Sequence, residues 1–169
     1  MIPDSHTGRL IADLLENDDQ PDAEVEAPDG RRYTKRSMPE PGVRTALDVV
    51  EPGQPPVRAI TIFEAQNERP DGYPAALPFV PDTVAYVHHA RTLPPSLIII
   101  WRELVDDDAF ERQLVEVSRS EGWEVTREPK QLFGDMASPR ELRRGAERRL
   151  LSRLPRHEDR RGGLMLIQS

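Results

Sequence analysis

Apolar and polar positions follow their most regular pattern between Leu97 and Val125. An unbroken apolar run at 97–101 predicts a strand that is buried on both faces, as in the centre of a covered sheet. The next segment repeats apolar side chains at Phe110, Leu114 and Val117, which is the spacing of a helix that buries one face. This strand and helix are therefore predicted to form the centre of the core.

Three consecutive acidic residues, Asp106, Asp107 and Asp108, precede this helix. Aspartate accepts hydrogen bonds from the first backbone N–H groups and suits the positive end of the helix dipole. Gly122 follows the helix and supplies a left-handed C-terminal cap. The triplet also resembles a metal-binding cluster, but the alternating order of a calcium loop is absent. Helix capping is the favoured interpretation.

Alternation with period two predicts strands before residue 91. The predicted strands are 24–27, 31–34, 43–50, 57–63 and 83–90. Pro28-Asp29-Gly30 is a turn signal that joins the first two into a hairpin, with acidic residues on one strand facing basic residues on the other. The next two are expected to form a second hairpin. Before them, the spacing of Leu10, Ile11, Leu14 and Leu15 predicts a short helix over 5–16.

The segment from Ser138 to Leu154 carries two competing signals. Ser138, Pro139 and Glu141 form a strong helix start, so a helix that ends before Pro155 is the main prediction. Its apolar positions do not keep to one face, however, because arginines interrupt it. The alternative is a strand at 148–154 that pairs with a C-terminal strand at 163–168. Both interpretations stay open at this point.

These elements predict an α+β protein in which one or two helices cover a mostly antiparallel sheet. Residues 57–169 are assigned to the α+β domain, and residues 1–56 to an acidic, proline-rich and partly β N-terminal extension. Most of the 17 prolines precede Ser96, which excludes a mainly helical N-terminal half because proline interrupts helices. The hydrophobic fraction of 37% indicates a modest core for 169 residues.

Charge and residue types exclude several classes of function. A net charge of −7 argues against general binding to nucleic acid or anionic lipid. The absence of cysteine excludes disulfides, thiolate metal ligands and thiol nucleophiles. The longest apolar run is far shorter than the roughly 20 residues of a membrane span. The first residues lack the features of a secretory signal, so a cytoplasmic location is favoured unless the chain is a processed form.

The sequence carries no motif that selects a reaction. His88 and His89 are neighbours on a predicted strand and therefore point to opposite faces, so they are not expected to bind one metal ion together. Serine has no nucleophile-elbow context, and the glycine-rich nucleotide motifs are absent. We predict no catalytic residue, no cofactor and no metal ion, and an enzymatic role is uncertain and disfavoured.

The least random feature is the separation of charge along the chain. Residues 1–30 are strongly acidic, whereas the segment 140–161 holds nine arginines. The predicted function is a non-enzymatic protein-binding or accessory subunit of an assembly of unknown composition, in which charged and proline-rich segments contact another protein. The candidate partner-binding residues are Arg140, Arg143, Arg144, Arg148, Arg149 and Arg153.

Three alternatives remain beside this prediction. In the first, the acidic segment folds back onto the arginines, or both segments are simply solvated, and the charge separation has no binding role. In the second, a small-molecule-binding or hydrolytic site lies near the proline-rich loops at 67–81, where prolines force extended geometry. In the third, the protein is an acidic inhibitor or immunity-type protein that covers a basic site through residues 13–29. The sequence does not fix the oligomeric state.

Overall fold

A computed structural model of the chain describes residues 5–17, 19–64, 66–89, 96–101, 107–127, 140–154 and 163–168. Two helices and ten strands occur in this part of the chain. In chain order they are α1 (Ser5–Glu16), β1 (Ala23–Glu26), β2 (Arg32–Ser37), β3 (Val43–Val50), β4 (Val57–Phe63), β5 (Thr83–His88), β6 (Ser96–Trp101), α2 (Asp107–Ser120), β7 (Glu124–Arg127), β8 (Arg140–Arg144), β9 (Glu147–Leu154) and β10 (Gly163–Gln168).

The ten strands form one sheet in the order β1-β2-β3-β4-β5-β6-β10-β9-β8-β7. Every neighbouring pair is antiparallel. The predicted α+β class, with a mostly antiparallel sheet and helices packed on it, is confirmed. β6 lies between β5 and β10, as its continuous apolar run predicted for a central strand. The side chains of β6, including Trp101, lie outside the described part of the structure.

Residues 140–154 form a hairpin, and the helix predicted there is wrong. Backbone pairing joins β8 to β9, and residues 149–154 of β9 pair in turn with the whole of β10. Gly145, with a φ of 60°, provides the left-handed residue of the tight turn between β8 and β9. The alternative strand pairing of 148–154 with 163–168 is confirmed. The capping residues Ser138 and Pro139 lie outside the described residues.

Helix α2 packs on the sheet through its buried side chains. Phe110 and Leu114 are 2% and 0% exposed, and they belong to the same core as Leu142 of β8 and Leu151 of β9. Val117, predicted to be buried, is only partly buried. Ser118 is fully buried in its place, and its hydroxyl donates to the backbone oxygen of Leu114 at 2.7 Å. The hydroxyl is thus satisfied inside the core.

A second core cluster holds α1 against the first strands. Leu14 of α1 packs with Tyr33 of β2 and with Leu47 and Val49 of β3. α1 contacts β1 and β2. A helix this short is marginally stable on its own, so its apolar stripe has to pack against another part of the protein. β3 pairs with β4 along its length. The boundary between an N-terminal extension and the α+β domain at residue 56 stays a prediction.

Truncating the central side chain of α2 provides a test of this packing. We expect Leu114→Ala to lower the free energy of unfolding by about 2–5 kcal/mol, because it removes a fully buried side chain and leaves a cavity. Arg112→Ala, on the exposed side of the same helix, is the control and should change the value by less than about 0.5 kcal/mol. Urea unfolding measures both. Equal midpoints for the two variants would contradict the packing of α2.

Candidate functional site

The β8–β9 hairpin divides the six candidate arginines between the two faces of the sheet. Arg143 and Arg148 lie directly opposite each other in the register. The other four alternate with them, and they share a face with the buried side chains of Leu142 and Leu151, against which α2 packs. The six arginines therefore do not form one continuous surface patch.

On the face covered by α2, two arginines converge on Glu111 of that helix. The carboxylate accepts a hydrogen bond from Arg140 Nε at 2.8 Å and another from Arg153 Nε at 2.9 Å. Arg153 also binds Asp108, and this hydrogen bond holds the pKa of Asp108 below its usual value. The Glu111 side chain is only 13% exposed, so its ion pairs are weakly screened by solvent. Arg140 and Arg153 thus attach α2 to the hairpin.

Two further arginines on this face stack on Trp123, which follows α2. The guanidinium carbons of Arg144 and Arg149 lie 4.5 Å and 5.7 Å from the centre of the indole ring. Arg144 donates to the backbone oxygen of Ala75 at 3.0 Å. The Arg149 side chain is 5% exposed, and burial lowers its pKa. Arg149 is therefore buried within the protein, whereas Arg144, whose side chain is 30% exposed, stays partly accessible.

Arg143 and Arg148 occupy the opposite, more exposed face. Their side chains are 62% and 41% exposed. Both bind Glu141, with an Arg148 Nε to carboxylate distance of 2.9 Å. Burial alone would raise the pKa of Glu141, but the hydrogen bonds from the two arginines outweigh it and lower the pKa. Of the six predicted partner-binding residues, these two are the most accessible, and a binding role for the set stays a prediction.

The acidic segment lies at the other end of the sheet. Edge strand β1 is nine positions away from β7, the opposite edge strand. The described ion pairs of the six arginines run to carboxylates between residues 108 and 147. Within the described part of the chain, the acidic segment does not fold back onto the arginines. Its exposed acidic residues are Asp13, Asp19, Asp22, Glu24, Glu26 and Asp29.

Among the described residues, few cations compensate this acidic edge. Arg32 of β2 lies 3.7 Å from Glu24, and Arg31 lies 3.8 Å from Asp29, both near the distance limit of an ion pair. Such exposed and long pairs contribute little, typically about 0–1 kcal/mol. The pairing of Glu24 with Arg32 agrees with the acidic and basic strands predicted for this hairpin. The edge of the sheet thus presents an excess of negative charge to solvent.

The two neighbouring histidines have different surroundings. His89 Nε2 lies 2.8 Å from the Thr61 hydroxyl, beside an ion pair in which Arg58 Nε donates to Asp48 at 2.8 Å. Burial lowers the pKa of both histidines, and the positive charge of Arg58 lowers that of His89 further. Among the described residues, no group of three potential ligands is placed to hold a metal ion. Burial thus favours the neutral form of both histidines.

The proline-rich loop at 67–81 contributes its large side chains to the core. Tyr73, Leu77 and Val80 are buried, and the Tyr73 hydroxyl donates to the backbone oxygen of Pro78 at 2.8 Å. The Tyr73 ring also packs against Phe63 and Phe79, with ring centres 5.2 Å and 5.4 Å away. The small-molecule site predicted near this loop gains no support from these residues, because their side chains fill the space between loop and sheet.

A pocket that the sequence analysis did not predict lies elsewhere, where β2 and β4 end and β3 begins. It encloses about 230 Å³ and is lined in part by Lys35, which is only 2% exposed. The burial of Lys35 could be inferred from the sequence, because it lies two residues from Tyr33 in an alternating strand and therefore points to the same face of the sheet. An isolated lysine at such a position is easily overlooked, since lysine is rarely buried without a partner.

Comparison of the chain with protein-family models, with curated proteins and with solved structures gave no match. Across the described residues, no helix is both long and apolar enough to cross a membrane. The function therefore has to be argued from the geometry and charge of these surfaces.

Removing the charge of Glu111 tests the attachment of α2 to the hairpin. We expect Glu111→Gln to lower the free energy of unfolding by about 1–3 kcal/mol, since two guanidinium groups lose a partly buried carboxylate partner. Glu116→Gln, on the exposed side of the same helix, should change it by less than about 0.5 kcal/mol. Denaturant unfolding of both variants measures the difference. If the Glu111 variant were as stable as the Glu116 variant, the ion pairs of Glu111 with the two arginines would have no importance for stability.

The histidine pair predicts a dependence of stability on pH. The pKa of both groups is lowered in the fold from an ordinary value of 6.5, so below that pH the unfolded chain binds more protons than the native protein. We therefore expect the free energy of unfolding to fall as the pH is lowered from 7.5 to 5.5.

His88→Gln combined with His89→Gln should remove most of this slope, because glutamine does not titrate and still accepts a hydrogen bond. Unfolding at several pH values compares the two proteins. The interval stops at pH 5.5 so that the carboxylates, whose ordinary pKa values are 3.8 and 4.5, stay charged. An unchanged slope in the double variant would contradict the burial of these histidines.

Proposed function

We propose that this protein is a non-enzymatic, protein-binding accessory protein whose acidic edge contacts a basic surface of its partner. The acidic edge consists of the exposed carboxylates between Asp13 and Asp29, on α1, on β1 and in the segments that follow them. The single observation that carries the proposal is the excess of exposed, weakly paired negative charge at this edge. The proposal joins the accessory-subunit prediction with the alternative of an acidic inhibitor.

The internal use of the arginines supports this choice. Four of the six candidate arginines pair with acidic residues or stack on Trp123. The two more exposed arginines share one carboxylate, Glu141, which offsets part of their charge. These six arginines are therefore largely compensated by contacts with other described residues, whereas the described carboxylates of the acidic edge are less so. We assign the contact with a partner to the acidic edge for this reason.

Edge geometry supports a contact with protein. β1 has only four residues, and Glu24 and Glu26 project from its exposed face, while Ala23 and Val25 pack toward the core. Short, charged edge strands resist pairing with other strands, so recognition here is expected to rest on side-chain charge. Carboxylates that are complementary to a basic surface raise association rates and specificity, and this effect decreases with salt.

Isosteric neutralisation of the acidic edge tests the proposal. The edge variant carries Asp13→Asn, Asp19→Asn, Glu24→Gln and Glu26→Gln. The matched control carries Glu68→Gln, Asp71→Asn, Glu116→Gln and Glu124→Gln, which are exposed acids outside the edge. Both change the net charge by the same amount.

Affinity purification from the native host at low and moderate salt compares the two variants with the parent. We expect the parent and the control to retain one stoichiometric basic partner, and the edge variant to lose at least about tenfold in affinity for it when the purified pair is titrated. Equal affinity of the edge and control variants would exclude the acidic edge as the interface. A parent protein that stays without any partner at both salt concentrations would contradict a protein-binding function.

A further inference from the structure

A pocket of about 230 Å³ lies on the α1 side of the sheet, where β2 and β4 end and β3 begins. Its lining residues are Lys35, Ser37, Met38, Arg44, Thr45 and Glu64. The volume equals that of about seven or eight water molecules at the density of the liquid. It suits a ligand of the size of a small metabolite and is too small for a drug-sized one.

The Lys35 side chain is the unusual feature of this pocket. The residue is 2% exposed, and its Nζ donates a hydrogen bond to the backbone oxygen of Asn17 at 2.6 Å. An ammonium group carries three donors. Within the described part of the chain, no carboxylate pairs with Lys35, and Asn17 is the acceptor that its Nζ contacts. A buried cation without an anionic partner is costly, and an anion in the pocket would relieve that cost.

Thr45 supplies a second donor on the same wall. This residue is 6% exposed. In the pairing of β2 with β3, Thr45 lies opposite Ser37, and Lys35, two residues before Ser37, lies opposite Leu47. The Ser37 hydroxyl already donates to the backbone oxygen of Pro21 at 2.7 Å, so its proton is engaged. The Thr45 hydroxyl has no such acceptor among the described residues. Lys35 and Thr45 therefore line the same pocket and supply N–H and O–H donors to it.

The mouth of the pocket has an apolar and a charged part. Met38 lines it, is 74% exposed and has a φ of 52°, a left-handed conformation that is uncommon for residues other than glycine. Its backbone N–H donates to the oxygen of Arg44 at 2.8 Å, which fixes this turn. Glu64 also lines the pocket. Arg44 lines it as well, so the lining carries two positive charges and one negative charge, and a ligand with one oxyanion group matches this balance.

We propose that Lys35 and Thr45 form the binding site for the oxyanion group of a small molecule, a carboxylate or a phosphate, whose apolar part is covered by Met38. The lysine supplies charge and two N–H donors, and the threonine supplies one O–H donor. This site adjoins the acidic edge, since the backbone N–H of Ser37 donates to Asp22 at 3.3 Å, but it uses different residues and does not need a protein partner.

Acetate and inorganic phosphate are the probes for the test. Each is titrated into the full chain, labelled with ¹⁵N, at constant ionic strength, and the amide signals of Ser37, Met38 and Thr45 are followed. We expect saturable shifts in the parent protein. The probe that binds more tightly distinguishes a carboxylate from a phosphate as the recognised group.

Three variants define the site. Lys35→Met should weaken binding at least about tenfold, the loss expected for a hydrogen bond to a charged group, and Thr45→Val should weaken it several-fold. Arg143→Met removes one positive charge at the other end of the sheet and should leave the affinity unchanged within about twofold. If Lys35→Met does not fold, the comparison of the probe affinity of Thr45→Val with that of Arg143→Met decides whether the site exists. Shifts that sodium chloride reproduces, or unchanged affinity in the site variants, would overturn the proposal.

Discussion

The docking of α2 onto the β8–β9 hairpin is the interaction on which the C-terminal half of the structure depends. Leu114 and Phe110 meet Leu142 and Leu151 in a dry core, and Glu111 joins two arginines of the hairpin at its border. The apolar contacts supply the free energy, while the ion pairs fix the position of the helix along the strands because their geometry is specific. The distribution of arginines between the two faces follows from this arrangement.

The same docking explains why sequence reasoning failed at residues 140–154. Ser138, Pro139 and Glu141 favour a helix locally, and leucine and arginine are good helix formers. Local preference is weak compared with the pairing of β9 to β10 and β8 to β7 and with the burial of alternate side chains under α2. The signal for a strand was the lack of a single apolar face. In the structure, arginines occupy inward positions because acidic partners from α2 and the π-face of Trp123 accept them.

Elsewhere, the local patterns sufficed to predict the elements. α1 and strands β1 to β5 appear close to their predicted positions because each has its own periodicity and its own turn signals. The order of ten strands, by contrast, depends on contacts between distant segments that no single window of sequence contains. The pocket at Lys35 was missed for a similar reason. Its lysine and threonine lie on different strands, and only the pairing of β2 with β3 places them near one another.

The fold also decides where the net charge of −7 is displayed. The six arginines of the hairpin share four nearby carboxylates, which offset much of their charge and reduce their contribution to the potential outside. The carboxylates at α1 and β1 have weaker and fewer described ion pairs, so one edge of the sheet carries an excess of negative charge. The basic and acidic segments differ in role although the sequence presents them as equal opposites. The described arginines hold a helix on a hairpin, whereas the described acidic residues face solvent with weaker ion pairs, as the proposed contact with a basic partner requires.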